Sequence, residues 1–157
     1  MSLESPKPEA VDAATLRIAI VAARYNERLV EALLRQVSAG LRAAGIADGN
    51  MALERVPGSN ELPVAVRLVA ERRKPDAIVA LGVIVRGDTI HYELIATAAT
   101  EALQRVAVDA GIPVINGIVV AETQAQAEAR CLGAIDRGLE FAQAAVAMAA
   151  LKRRLAP

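Results

Sequence analysis

One histidine, His91, stands in this chain of 157 residues, and its neighbours are unusual for a core position. Arg86, Gly87, Asp88 and Thr89 come just before it: a cation, a hinge, an anion and a hydroxyl. An imidazole titrates near neutrality and can take or give a proton. Gly87, Asp88 and Thr89 lead into a helical pattern, and backbone N–H groups at a helix N-terminus bind anions. His91 itself stands near the start of that helix, beside the same turn. The residues alone leave two duties open here, proton transfer beside an anion site or ordinary turn and capping work.

Three other polar stretches carry candidate chemistry. Arg24, Tyr25 and Asn26 form one, Gly58, Ser59, Asn60 and Glu61 the second, and Ala121, Glu122 and Thr123 the third, with Asn116 a little upstream. Tyr25 can stack on a planar ring or sit half-buried in its loop. Glu61 can bind a hydroxyl-rich ligand or simply favour the first turn of a helix. Arg130 is a lone helical arginine, and Cys131 has no second cysteine to pair with. One His and one Cys supply no zinc set, so no metal site is expected. Neither a Walker sequence nor a dinucleotide glycine fingerprint is present.

The elements that must position these groups alternate. Residues 17–23 (RIAIVAA) read as a strand, followed by a helix over 27–44 with Asn26 as N-cap and Gly45 as its left-handed stop. Residues 51–56 read as a more exposed strand. Residues 57–61 then form a tight turn, and Pro63 fits the first turn of the next helix, which Pro75 stops. Residues 77–85 (AIVALGVIV) have the length and β-branched content of a strand buried on both faces. The helix after His91 has Ile95, Ala99, Leu103 and Val106 on one face and ends at Gly111. Residues 113–120 read as a fourth strand interrupted at Asn116-Gly117. Thr123 to Gln126 has the form of a capping box. Gly133 and Gly138 punctuate the next helix, and 141–155 is the last. Strand–helix alternation of this kind predicts a three-layer α/β sandwich: a four-stranded parallel sheet with right-handed crossovers and helices on both faces. In such a sheet the loops leaving the strand C-termini share one edge, so the polar stretches converge on a small-molecule site there.

Bulk properties agree. Lys+Arg 18 balance Asp+Glu 18, and only 2% of residues are aromatic, so neither a basic nucleic-acid surface nor a base-stacking platform is expected. No apolar run approaches the roughly 20 residues that span a membrane. A single cysteine points to a reducing cytoplasm. Residues 1–15 are polar and carry two prolines, and read as a flexible arm before one domain over 16–157. The chain is 54% apolar, more than four strands and their helices absorb, so a homo-oligomer that buries helix faces is expected.

Taken together, ARYNE (23–27), VPGSNELP (56–63), ALGVIVRGDTIHYELIA (80–96) and PVINGIV (113–119) resemble the 6,7-dimethyl-8-ribityllumazine synthase family of riboflavin biosynthesis. The resemblance implies a flavodoxin-like fold and a condensation without metal or organic cofactor. The amine of 5-amino-6-ribitylaminouracil would meet the ketone of 3,4-dihydroxy-2-butanone 4-phosphate, and phosphate would leave. By alignment with the family, Tyr25 stacks on the pyrimidine, Ser59, Asn60 and Glu61 meet the ribityl chain, and Val83, Ile84 and Val85 line the pocket. Asn26, Gly58 and Asn116 complete the substrate-binding set. Gly87, Asp88, Thr89 and Arg130 hold the phosphate, and His91 is the catalytic histidine. The resemblance also implies pentamers, free or assembled twelve at a time into a shell, with active sites between neighbouring subunits. Pro6 and Pro8 in the arm favour the free pentamer.

Asn116 stands where the family often has Phe, and Val120 and Ala121 where it often has a Thr pair. The segment 130–138 (RCLGAIDRG) is one residue shorter than the common form and lacks one of its lysines, with Arg137 in the place of the other. Two alternatives from the same fold are an archaeal-type riboflavin synthase, which would dismutate lumazine alone, and a non-catalytic shell-forming or flavin-binding protein.

Overall fold

A computed structural model describes residues 11–133 and 135–156. Strand β1 is Ile18–Ala23, β2 Met51–Val56, β3 Ala77–Val85 and β4 Val114–Ala121. Helix α1 is Glu27–Ala43, α2 Leu62–Arg73, α3 His91–Ala110, α4 Gln124–Cys131 and α5 Arg137–Leu155. All strand pairs are parallel, in the order β2-β1-β3-β4. β1 and β3 occupy the centre. Their residues are buried apart from Val85, the last of β3, whereas edge strand β2 is mostly half-exposed.

Side chains alternate between two cores, as the pleat requires. Ile18, Ile20 and Ala22 of β1 join Val79, Leu81 and Val83 of β3 under α1, α4 and α5. Ala19, Val21 and Ala23 join Ile78 and Ala80 under α2 and α3. The second layer is thinner. Along the 20 residues of α3 only Ala99 and Leu103 are buried, while Leu94 and Val108 stay 60% and 80% exposed.

The expected architecture is the observed one, with four local differences. Asn26 is not a side-chain cap. It takes a left-handed conformation, φ 56°, and its amide instead donates to the Val83 carbonyl at 2.8 Å. β4 runs through Asn116-Gly117 without interruption. Gly117 is there for close packing: a Cβ would sit 2.7 Å from Leu81 and 2.8 Å from the Ala80 carbonyl. α5 begins at Arg137, four positions before the expected 141, because the Asp136 carboxylate accepts from the Leu139 N–H at 2.9 Å. Gly138 therefore lies in the first turn of α5 and does not break a helix.

The expected arm over 1–15 falls partly outside the described residues. Within 11–15, Ala13 is buried and Thr15 accepts a hydrogen bond from Arg153. Among the described residues no helix is long and apolar enough to cross a membrane.

Candidate functional site

Backbone hydrogen bonds bring the strand ends of one edge together. The Arg24 N–H donates to the Val56 carbonyl at 2.9 Å and the Tyr25 N–H to the Pro57 carbonyl at 3.1 Å. These join the first loop to the second, and Asn26 joins it to β3. The Arg86 N–H donates to the Ala121 carbonyl at 2.9 Å and joins β3 to the end of β4.

The second loop fits because two glycines leave room. Ser59 is buried with its hydroxyl so close to Gly82 that a Cβ there would clash with it. A Gly58 Cβ would lie 3.1 Å from the Glu61 carboxylate and 3.3 Å from the Tyr25 ring, so both side chains lie close over that backbone.

A cavity of about 580 Å³ opens between these loops, a volume suited to a small molecule. Tyr25 and Asn26 line it from the first loop, and Gly58, Ser59, Asn60 and Glu61 from the second. Val83, Ile84 and Val85 form the β3 wall, and Gly87, Thr89 and His91 the remaining rim. Space around Gly87 is open: a Cβ built there meets nothing within 4 Å. The His91 N–H points toward the Thr89 hydroxyl at 3.4 Å, a long contact. Tyr25 is 74% exposed in the single chain, which leaves surface for a planar ligand or a neighbouring subunit to cover.

Three expected residues do not line this cavity. Asp88 is exposed in the loop beside it. The Asn116 amide donates to the Thr100 hydroxyl at 3.1 Å, and its carbonyl oxygen accepts the Ile118 N–H. Arg130, near the end of α4, donates to the Gln126 carbonyl at 3.0 Å. Two cavity residues were not singled out from sequence as site residues. Tyr92 follows His91 directly, and Ile95, assigned above to the helix's apolar stripe, lies one turn on and also faces the cavity.

At the rim, Arg86 pairs with Glu122 at 2.8 Å, and the Tyr92 hydroxyl donates to Glu93 at 2.8 Å. That hydrogen bond, first among several causes, raises the Tyr92 phenol above its ordinary range. Cys131 is buried, and burial pushes its thiol up to about 11 against a smaller opposing effect of Arg130. It is a structural thiol with little thiolate character. Among the described residues, no three His, Cys, Asp or Glu side chains are grouped to hold a metal ion.

A doubly covered parallel sheet whose C-terminal edge holds a cavity lined by an aromatic, a carboxylate and an imidazole defines an α/β protein with a pocket of small-molecule size. Comparison with known proteins narrows this. A sequence model of 6,7-dimethyl-8-ribityllumazine synthase matches residues 15–153. A protein of that name from a Polaromonas species is 40% identical over 153 residues, covering 98% of this chain and 97% of its own. Those from Albidiferax ferrireducens and Pyrococcus furiosus are 43% and 41% identical, covering 87% and 89% of this chain and 85% and 87% of theirs. The chain belongs to the 6,7-dimethyl-8-ribityllumazine synthase family.

Proposed function

We propose that the protein condenses 5-amino-6-ribitylaminouracil with 3,4-dihydroxy-2-butanone 4-phosphate to 6,7-dimethyl-8-ribityllumazine, releasing phosphate and water. The observation that carries this reading is the single cavity surface shared by Tyr25, Glu61, Thr89 and His91. Each supplies what one part of the reaction needs. The pyrimidinedione stacks on Tyr25. Its ribityl chain runs along Val83, Ile84 and Val85 to Ser59, Asn60 and Glu61, whose polar groups match its hydroxyls. The phosphate meets the N–H groups of Gly87, Asp88 and Thr89. His91, between the two, moves protons as the amine adds to the ketone and phosphate is expelled. Ring closure by the ribitylamino nitrogen then completes the lumazine.

Most of the acceleration comes from holding two substrates in one orientation. Proton transfer by His91 adds about 10²–10⁴-fold. In this reading Arg130 and Asn116 serve the cavity of a neighbouring copy, which is why their own chain leaves them apart from it. Exposed Leu94 and Val108 on α3 support a homo-oligomer, a ring of five chains alone or twelve such rings in a shell. We place its work in the cytoplasm, where Cys131 stays a thiol.

The test is direct. Mixed with both substrates, the protein gives rising lumazine absorbance and fluorescence. Absence of product with intact protein overturns the reading. Riboflavin formed from lumazine alone would assign the archaeal-type dismutation instead.

A further inference from the structure

We propose that Glu122 is a positioning residue that holds the phosphate loop and His91 against the turn from which α4 departs. This rests on the functional reading above and adds a residue to it. Beyond the Arg86 rung on β4, residues 87–91 are exposed, yet they carry both the anion-binding N–H groups and the imidazole. Glu122 touches both ends of that segment. One of its carboxylate oxygens accepts from Arg86 Nη1 at 2.8 Å. The other stands 3.4 Å from the Tyr92 hydroxyl, which donates to Glu93 at 2.8 Å. The Arg86 guanidinium lies 6.0 Å from the Tyr92 ring centre, within cation–π range. This latch therefore joins the two residues that flank 87–91.

Glu122 is itself fixed. Its N–H donates to Gln126 Oε1 at 2.9 Å, and the Gln126 N–H donates to the Thr123 hydroxyl at 3.1 Å. The Gln126 carbonyl accepts from Arg130. One joint thus carries the loop that meets phosphate and the helix that bears the arginine assigned to phosphate. The side chains of Arg86 and Glu122 are 57% and 55% exposed, and exposed ion pairs add little to stability. What this pair sets is place, and small misplacements at a reacting centre cost up to about 10²-fold in rate.

The experiment compares wild type with Glu122→Ala, Glu122→Gln and Tyr92→Phe by amide hydrogen exchange and by kinetics with both substrates. In Glu122→Ala the hydrogen-bonded amides that flank the loop, those of Arg86, Glu93 and Leu94, exchange at least about tenfold faster, while the melting temperature moves by no more than about 3 °C. The Michaelis constant for the butanone phosphate rises severalfold and that for the pyrimidine stays put. Glu122→Gln, which keeps an acceptor for Arg86, recovers part of both effects, and Tyr92→Phe shows a smaller change in the same direction. Should Glu122→Ala not fold, Glu122→Gln carries the comparison. Unchanged exchange at Arg86, Glu93 and Leu94 overturns the proposal, and so does an equal change in both Michaelis constants. Faster exchange in a protein whose wild type makes no lumazine supports the latch and removes the function instead.

Discussion

His91 has no understudy, since the sequence holds no second histidine. Its substitution is therefore the sharpest probe of chemistry. His91→Ala should slow turnover by about 10²–10⁴-fold without abolishing it, because positioning remains. Product absent altogether from single-turnover reactions of folded variant would contradict a mainly positional mechanism. Arg130→Ala should raise the Michaelis constant for the phosphate substrate, since a charge-assisted contact is lost. A constant equal to wild type would remove Arg130 from the site. The polar loops were legible because chemistry-bearing types stood out against apolar strands. Asn26 was legible as a loop residue but not in its role. Its left-handed backbone and its bond to the Val83 carbonyl depend on β3, 57 positions away. Ile95 matched a helix core stripe, and nothing local distinguished a cavity wall from a core.

At the scale of elements, the crossing of α1 and α5 is set by small residues. A Cβ on Gly138 would run into Gln36 and lie 3.0 Å from the Leu33 carbonyl, and one on Gly40 would lie 2.7 Å from the Ala142 Cβ. Gln36 holds both sides of the α4–α5 connection, donating to the Cys131 carbonyl at 3.1 Å and accepting from the Gly138 N–H at 3.2 Å. Gly138→Ala should therefore destabilise by about 1–3 kcal/mol, the usual cost of overpacking, as read by denaturant unfolding. Stability equal to wild type would show that the crossing has slack. Strands β2 and β3 were read from sequence with the observed ends, since turn residues follow each, Pro57-Gly58 after β2 and Arg86-Gly87 after β3. The start of α5 was read late. Gly138 signals a break by propensity, and here the need for close packing on α1 and the Asp136 cap outweigh it.

Across the whole molecule, Asp76, just before β3, joins Arg17 before β1 to Arg153 near the end of α5. It accepts the Arg17 N–H at 2.7 Å and pairs with Arg153 at 2.7 Å. Burial alone would raise its pKa, but the Arg153 and Arg17 hydrogen bonds and the nearby charges of Arg153 and Lys152 bring it below its ordinary 3.8. A lowered folded value means that its stabilisation is complete above the unfolded value and is lost as pH falls through the folded one. Unfolding titrations should show this loss beginning near pH 4 and growing on further acidification. Asp76→Asn should cost about 1–3 kcal/mol at neutral pH and flatten that acid limb. An unaltered limb in the variant would assign the acid sensitivity to other carboxylates. Whether an apolar helix face meets its own sheet or a neighbour was the least legible level, because the signal in the sequence is the same.

The claim that two chains complete each cavity is tested by mixing His91→Ala and Arg130→Ala chains, unfolding them together and reassembling them. Assayed at butanone phosphate well below the Michaelis constant of Arg130→Ala, where both separate variants turn over slowly, about a quarter of the interfaces regain both groups if His91 and Arg130 at one site come from different chains, and activity rises to about a quarter of wild type. Activity that never exceeds the average of the two separate variants would place both groups within one chain and contradict the shared site.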